Sequence, residues 1–366
     1  MHLERMWAYK AMANQAKKSS GSLGLKIGTL GLPILAVLIF ILFSLLLPKT
    51  YPTASNLQAI LSNQSIPALL ALGAMIPIVT AKFDLSMGYA LGLSHVVVMY
   101  LLVHSHVSWP VVCLLAVLGT SVVGLINGLL VEFAQIDSFI ATLGTGSVLY
   151  ALSGWITGGG RIVPPLKGLP VGFTNLMNAH FLGLPMGAYY ILVLVFILVI
   201  VLEYLPAGRG LYVIGSNPRA AELIGVPKRR YVILAFVSSS AITGFAGCLL
   251  AAQQQVGNPS IGSEYLLPAF VGALLGSTTI RLGRANALGT LVAVAILAIG
   301  VAGIQQLGAD FWATPLFNGL TLLAAVGLAG FSARRRLKSG AEASRRSMEA
   351  TVPDNQQNNQ QYSEHQ

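Results

Sequence analysis

The stretch YVILAFVSSSAITGFAGCLLAA, residues 231–252, contains no charged side chain. About 20 uncharged, mostly apolar residues in a helix match the ~30 Å hydrocarbon core of a bilayer. Three further runs, 27–47, 285–307 and 311–331, also lack charge over a similar length. These runs predict a polytopic helical membrane protein.

The composition agrees with this prediction. Only 34 of the 366 residues are Asp, Glu, Lys or Arg, and the mean hydropathy is +0.72. A soluble chain of this length needs more polar surface than that, and the runs are too long for barrel strands, which have about 10 residues of alternating polarity. We therefore expect an all-α membrane protein with about ten transmembrane helices. The predicted spans are 27–47, 57–81, 85–103, 108–131, 138–157, 188–206, 231–252, 265–280, 285–307 and 311–331.

The basic residues predict how these spans are oriented. If the N-terminus is cytoplasmic, ten spans place 19 of the 22 Lys and Arg residues in cytoplasmic tails and gaps. The three on the other side are Lys49, Arg161 and Lys167. Such a bias follows the positive-inside rule. The formal net charge of +10 is therefore explained by topology and attraction to anionic lipid, and we expect no nucleic-acid partner.

The same pattern divides the chain into regions. We expect a cytoplasmic N-terminal tail over 1–26, a membrane domain over 27–331, and a cytoplasmic C-terminal tail over 332–366. The C-terminal tail is rich in Gln, Asn, Ser and Glu and is predicted to be disordered. Within the membrane domain, the longest cytoplasmic connection is 207–230.

The connection 207–230 either contains a short helix or is a plain charged loop. Asn217 is a suitable helix cap, and Pro218 suits the first helical position. Gly225 can end such a helix, because glycine readily adopts the left-handed conformation found just after helices. The residues alone favour neither alternative.

Motifs for chemistry are absent from the sequence. There is no GxxxxGK[ST] phosphate loop, CxxC, HExxH or GxSxG. Cys113 and Cys248 lie within apolar runs and are expected to be inert thiols. His104 and His106 have the residue type for metal binding, but solvated loop histidines are the favoured interpretation. We therefore predict no catalytic residue, metal site or cofactor in this chain.

The carboxylates indicate the kind of solute. Acidic residues inside spans mark ion or proton pathways, but here every acid near the membrane lies at a predicted span end. An ion-coupled carrier is therefore disfavoured, and an uncharged polar pathway suits a neutral solute such as a sugar. Each pathway candidate has helix packing as its alternative role. The candidates are Asn127, Phe139, Thr142, Thr145 and Gln253.

Asp84 lies in KFDLSMG, residues 82–88, immediately before the third predicted span. An acidic residue at a helix N-terminus accepts hydrogen bonds from free N–H groups and suits the helix dipole. We predict that Asp84 is a helix cap rather than a contact to the solute.

Several motifs in order resemble the permease subunits of bacterial ABC importers of the ribose/galactose/xylose class. The resemblance covers about residues 55–330. The motifs are DLSMG (84–88), INGLLVEFAQIDSFIATLG (126–144), GRGLYVIGSNPRAAELIG (208–225) and YLLPAFVGALLGSTTIRLGRANALGTLVAV (265–294).

The resemblance implies a type II ABC importer-like permease in the bacterial cytoplasmic (inner) membrane. It implies three kinds of partner: a cytoplasmic ABC ATPase that binds ATP and Mg²⁺, a periplasmic sugar-binding protein, and a second permease copy or sister permease. It also implies that the region 215–230 couples the permease to the ATPase. The coupling residues are Gly215, Asn217, Pro218, Ala221, Glu222, Gly225, Arg229 and Arg230.

The resemblance leaves the solute open. Lys82-Phe83 replaces the commoner Gly-Gly-Ile, and GALLGSTTIRLGRAN (272–286) lacks glycines that are common in the class. A sugar such as a pentose or hexose is the expected solute, and a nucleoside, a furanosyl autoinducer or a polyol is the alternative. An ion-coupled carrier and a membrane scaffold or sensor are the alternatives from other classes.

Overall fold

The structure is a computed structural model that describes residues 31–281, 283–324 and 327. The predicted tails, 1–26 and 332–366, lie outside the described residues. So do the beginning of the first predicted span and the end of the last one.

The described chain is a helical bundle with one small hairpin. Its strands, β1 (His180–Phe181) and β2 (Leu184–Pro185), pair antiparallel, with His180 opposite Pro185. A π-helical segment, Ile200–Tyr204, extends α8. The helices are α1 (Gly31–Leu46), α2 (Ala54–Asn63), α3 (Ser65–Val79), α4 (Met87–His104), α5 (Trp109–Glu132), α6 (Ser138–Thr157), α7 (Val171–Asn178), α8 (Met186–Val199), α9 (Pro206–Ser216), α10 (Pro218–Leu223), α11 (Lys228–Gln254), α12 (Gly262–Gly276), α13 (Ala287–Gln306) and α14 (Ala313–Ala324).

Six of these helices are long and apolar enough to cross a membrane, and the bent pair α2–α3 makes a possible seventh. Every predicted span overlaps a described helix, but α12 and the described parts of α1 and α14 are shorter than a full crossing. The number of ten spans therefore stays a prediction.

The second predicted span, 57–81, is not one straight helix. It is divided into α2 and α3, which meet at an angle of 43°. Pro67 lies in the first turn of α3 and has no N–H to donate to the carbonyl of Asn63, so the helical ladder is interrupted there. The sequence pattern did not reveal this break because no charged residue interrupts the run 57–81.

The helix α11 is the centre of the bundle and packs between α3, α4 and α5. Small residues allow close approach: a Cβ on Gly124 of α5 would lie 2.5 Å from the carbonyl oxygen of Phe236 in α11. On the α4 side, Gly247 approaches Ser94 in the same way. Helices in membranes associate through such small-residue contacts, so these glycines determine the packing of the core.

One end of the bundle gathers most of the described Lys and Arg residues, and we call it the basic end. There the last residue of α3 meets α9, and the ends of α5 and α12 lie near the starts of α11 and α13. The contact of Gly215 with Val79 and the ion pair of Lys228 with Glu132 demonstrate this arrangement. The end with α7 and the hairpin is called the opposite end.

Candidate functional site

A hydrogen-bonded chain of buried polar side chains lies near the basic end. Ser86 Oγ donates to Asp84 Oδ1, and Asn127 Nδ2 donates to Ser86 Oγ at 2.8 Å. Thr145 Oγ1 then donates to Asn127 Oδ1 at 2.8 Å. We call these four residues the Asp84 network. It joins the connection between α3 and α4 to α5 and α6.

Two further side chains from α6 hold the backbone of the same connection. Phe83 N donates to Ser138 Oγ at 3.2 Å, and Leu85 N donates to Thr142 Oγ1 at 3.0 Å. The connection 80–86 is therefore fixed to α6 by its backbone and to α5 through the Asp84 network.

The sequence predicted that Asp84 caps α4, but its side chain does not cap the helix directly. The helix begins at Met87 with Ser86 as its N-cap residue, and Asp84 Oδ1 accepts from the backbone N–H of Ser86. The carboxylate thus closes the turn that leads into α4. Burial raises the pKa of Asp84 to about 6, and the hydrogen bonds from Ser86 partly oppose this rise.

The five pathway candidates do not line one common surface within the described chain. Asn127 and Thr142 are fully buried in the contacts just described, and Thr145 is partly buried beside them. Phe139 is exposed on α6. Gln253 lies at the far end of α11, where its Nε2 reaches Ser62 O at 3.4 Å.

At the basic end, α10 is a short, well-terminated helix. Asn217 is its N-cap, with Oδ1 accepting from Ala220 N at 3.0 Å, and Pro218 is its first residue. Gly225 follows the helix with φ +79°. The predicted start and stop signals are confirmed, and the plain-loop alternative for 207–230 is wrong, because local capping groups satisfy the ends of so short a helix.

One side of α10 is anchored in the bundle. Ala221 is fully buried and belongs to a small cluster with Ile214, Val131, Val232 and Phe236. The preceding helix α9 is held by Gly215, where a Cβ would collide with the carbonyl oxygen of Val79. The segment is therefore positioned by packing on both sides of Asn217.

The other side of α10 is exposed in the described part of the chain. Leu223 is 84% exposed and Ile224 is 69% exposed, which is unusual for large apolar residues beside a charged loop. Sequence reasoning missed this pair. The available signal was two apolar residues directly before Gly225, outside any apolar run.

Charged side chains surround this apolar tip. Lys228 Nζ lies 3.5 Å from Glu222 Oε1 and 3.8 Å from Glu132 Oε2. The guanidinium of Arg229 lies over the Phe133 ring at 5.1 Å. Thus Lys228 and Arg229 have contacts within the described chain, and both Arg229 and Arg230 are exposed.

A second group of charges at the basic end ties the connection between α12 and α13 to the π-helical segment and to α9. Arg281 forms an ion pair with Glu203, and the guanidinium of Arg284 stacks on the Tyr212 ring at 3.9 Å. Tyr212 Oη donates to Ala285 O at 2.7 Å. The coupling candidates and the ends of the long helices therefore form one connected assembly.

Of the histidines singled out from the sequence, His104 is the last residue of α4 and His106 lies in the loop that follows it. His104 stacks on Tyr100 with ring centroids 4.5 Å apart. Among residues 31–281 and 283–324, no group of three His, Cys, Asp or Glu side chains is close enough to hold a metal ion.

The apolar bundle, with six helices long enough to cross a membrane among the described residues, defines a multi-pass membrane protein. The chain belongs to the family described as branched-chain amino acid transport system / permease component, whose model matches residues 56–326. It is a multi-pass protein of the cytoplasmic (inner) membrane.

Curated relatives align over most of the chain. The ribose import permease protein RbsC of Bacillus subtilis is 30% identical over 296 residues, covering 80% of this chain and 90% of the relative. The D-allose transport system permease protein AlsC of Escherichia coli is 26% identical, covering 81% and 89%. The autoinducer 2 import system permease protein LsrC of Salmonella paratyphi B is 28% identical, covering 79% and 82%. No solved structure matches the chain.

Proposed function

We propose that this chain is the permease subunit of an ATP-binding cassette importer for a sugar. The observation that carries the proposal is the alignment with a ribose import permease along 90% of that relative's length. The family description names branched-chain amino acids, whereas the relatives described above are named for ribose, allose and autoinducer 2. A sugar of pentose or hexose size is therefore the first solute to test.

The proposed topology has about ten spans and both termini in the cytoplasm. The basic end is then cytoplasmic, in accordance with the positive-inside rule. The regions 1–26 and 332–366 are cytoplasmic tails in this proposal, and 207–230 is the coupling connection.

The proposed coupling element is α10 with its flanking residues. Its anchored side, centred on Ala221, transmits force to α5 and α11, and its exposed tip, Leu223 and Ile224, docks into a cytoplasmic ABC ATPase. Glu222 and the exposed Arg230 supply charges for that contact. ATP and Mg²⁺ are bound by the ATPase, and this chain needs no cofactor of its own.

The remaining parts of the importer are a periplasmic sugar-binding protein and a second copy of this chain or a sister permease. Phe139 and Gln253 remain pathway candidates. Because Asn127, Thr142 and Thr145 are engaged in buried hydrogen bonds, their geometry favours helix packing at the basic end.

The proposal is tested by purifying the tagged chain from its native membrane after mild cross-linking and identifying the proteins that accompany it. An ATPase with a phosphate-binding loop at comparable stoichiometry is the expected result. The same strain, with and without the chain, is then assayed for uptake of labelled D-ribose, D-allose and L-leucine.

A chain that purifies without any ATPase, or one whose uptake persists after ATP depletion but stops when the ion gradients are collapsed, would contradict the importer proposal. The second result would indicate an ion-coupled carrier. Uptake of L-leucine in place of both sugars would replace the solute but keep the importer.

A further inference from the structure

A large cavity lies at the opposite end of the bundle. Its volume is about 780 Å³, and it is enclosed by the break between α2 and α3, the first turn of α12, the end of α13 and the start of α14. Binding sites for small molecules are usually clefts of about 300–1,000 Å³. The cavity therefore has room for a monosaccharide.

The lining of the cavity has an unusual balance of charge. It contains the carboxylates Glu264 and Asp310 and the amides Gln64, Gln305 and Asn318, but none of its lining residues is Lys, Arg or His. Carboxylate and amide groups accept hydrogen bonds from hydroxyls, and the amides also donate. A lining with acids and without cations disfavours anionic solutes and solutes with a free carboxylate.

The buried residue Asn318 is the most specific feature of the lining. Its side chain is 5% exposed, and among the described residues nothing forms a hydrogen bond with its Oδ1. Leaving a buried acceptor unpaired costs about 1–3 kcal/mol. This oxygen has almost no exposed surface, so a hydroxyl of a bound solute would pair with it only after the Asn318 side chain turns toward the cavity.

The cavity walls are held in place by contacts between helices. Tyr51 Oη donates to Ile299 O at 2.7 Å, and Gln306 Nε2 donates to Asn56 Oδ1, so α13 is tied to the segment that begins α2. On α14, the Phe317 ring packs on Gly300, where a Cβ would be 2.5 Å from the ring. The lining groups are thus positioned before any solute arrives.

The polar lining continues beyond the main cavity. A neighbouring cleft of about 250 Å³ shares Asn63, Gln64 and Gln305 with it. This cleft also contains Gln306, whose Oε1 has no hydrogen-bond partner among the described residues. Asn318 and Gln306, two amide side chains with an unpaired oxygen, therefore each line one of these two neighbouring spaces.

We propose that this cavity is a binding site for a neutral, polyhydroxylated solute on its way through the protein. Glu264, Gln305 and Asn318 bind hydroxyls, while the Tyr265 and Phe311 rings contact the apolar face of the solute. The proposal rests on the proposed import function and deepens it by locating a solute site that none of the residues predicted from the sequence includes.

The test compares cavity variants with a matched control in the whole transporter, expressed in the native strain that lacks the chromosomal copy. Glu264→Gln removes an exposed charge at nearly constant volume, and Asn318→Leu removes the unpaired amide. Asn178→Leu is the control, because Asn178 is an exposed amide at the end of α7 and does not line the cavity.

Labelled D-ribose and D-allose are the probes, and the amount of chain in the membrane and the amount of accompanying ATPase are measured for every variant. We expect the two cavity variants to lower uptake of the transported sugar at least tenfold, while the control stays within twofold of wild type. Membrane amount and ATPase association should not change for Glu264→Gln, which alters only an exposed side chain.

Wild-type uptake in both cavity variants would overturn the site. If Glu222→Lys or Leu223→Asp in α10 abolishes uptake in the same assay, the proposed function stands without this site. A second outcome would also count against the site. In it, Glu264→Gln keeps full uptake, and Asn318→Leu loses uptake because the variant chain is missing from the membrane. If the wild-type chain transports L-leucine and neither sugar, the solute class is wrong both for the cavity and for the proposed function.

Discussion

At the scale of single residues, the packing of α11 depends on whether a neighbouring glycine has a Cβ-sized space beside it. Gly119 and Gly124 both lie in α5, and a sequence pattern does not distinguish them. A Cβ at Gly119 would have nothing within 4 Å, whereas one at Gly124 would collide with the backbone of α11 at Phe236. The two residues therefore form a matched pair for testing the core.

We predict that Gly124→Ala destabilises the protein by about 1–3 kcal/mol, because the added methyl group forces α5 and α11 apart. Gly119→Ala should be neutral or slightly stabilising, since alanine favours a helix over glycine. Thermal unfolding of the two variants in the same detergent measures the difference. Equal midpoints for the two variants would refute the observed α5–α11 contact.

The buried carboxyl of Asp84 has a pKa raised from 3.8 to about 6. Between these values the folded protein binds more protons than the unfolded chain, so stability falls as pH rises from about 4 to 6 and stays low above 6. Asp84→Asn removes this dependence and keeps an acceptor for Ser86. We predict that the variant gains stability relative to wild type as pH rises, by at most about 3 kcal/mol at pH 7.

The measurement for Asp84→Asn is the unfolding midpoint of purified wild type and variant at pH 4.5 and pH 7.5. The difference between the two proteins should be small at the lower pH and larger at the higher pH. A constant difference across this range would show that the Asp84 carboxyl titrates at an ordinary pKa.

At the scale of the secondary-structure elements, the six-residue helix α10 has one side packed on the bundle and one side exposed. Asn217 caps the start of the helix and Gly225 follows its end. Ala221 is buried against the bundle, whereas Leu223 is exposed. Local signals were enough to predict the helix. They were not enough to predict which of its sides is buried, because that depends on the rotation of α10 relative to α5 and α11.

We predict that Leu223→Asp and Glu222→Lys abolish uptake and remove the ATPase from the purified complex, because they alter the proposed docking surface. Deleting 217–225 should have the same effect. The matched control is Leu182→Asp in the hairpin turn, since Leu182 is also 84% exposed but lies at the opposite end. Uptake and co-purification are compared at equal amounts of chain in the membrane.

Normal uptake in Leu223→Asp or Glu222→Lys would remove α10 from the coupling role. Equal losses in Leu182→Asp would show that any new exposed charge is harmful and that the loss does not report docking.

At the scale of the whole molecule, the two ends of the bundle differ in charge and in chemistry. The basic end carries α10 and the charged contacts of Arg281, Arg284 and Lys228. The opposite end carries the hairpin and the acidic cavity with Glu264 and Asp310. In the proposed importer, the opposite end receives the solute and the basic end meets the ATPase.

We predict that a cysteine replacing Leu182 reacts with a membrane-impermeant maleimide in intact cells, whereas one replacing Ser216 reacts only after the membrane is opened. Both positions are exposed, so accessibility within the fold does not separate them. The wild-type chain, treated in the same way, gives the background labelling of Cys113 and Cys248. The reverse labelling pattern would invert the proposed orientation.

The sequence predicted the positions of the membrane helices more completely than the contacts at the sites. The apolar runs correctly indicated where helices lie, because the requirement to satisfy backbone groups in lipid acts on each segment by itself. The run 57–81 was predicted as one span, since a break at Pro67 does not alter hydropathy. Asn127 and Thr142 were predicted as pathway residues from their polarity alone, and their partners are visible only in the fold.

The sequence by itself determined the class of protein, the positions of the apolar helices, the bias of basic residues and the ends of α10, because each follows from the chemistry of a short segment. Only the tertiary structure decided that Asp84 and Asn127 belong to one hydrogen-bonded network, that Leu223 faces outward, and that Asn318 lines a cavity with Glu264. These groups are far apart along the chain, and they meet only through the rotation and crossing of packed helices.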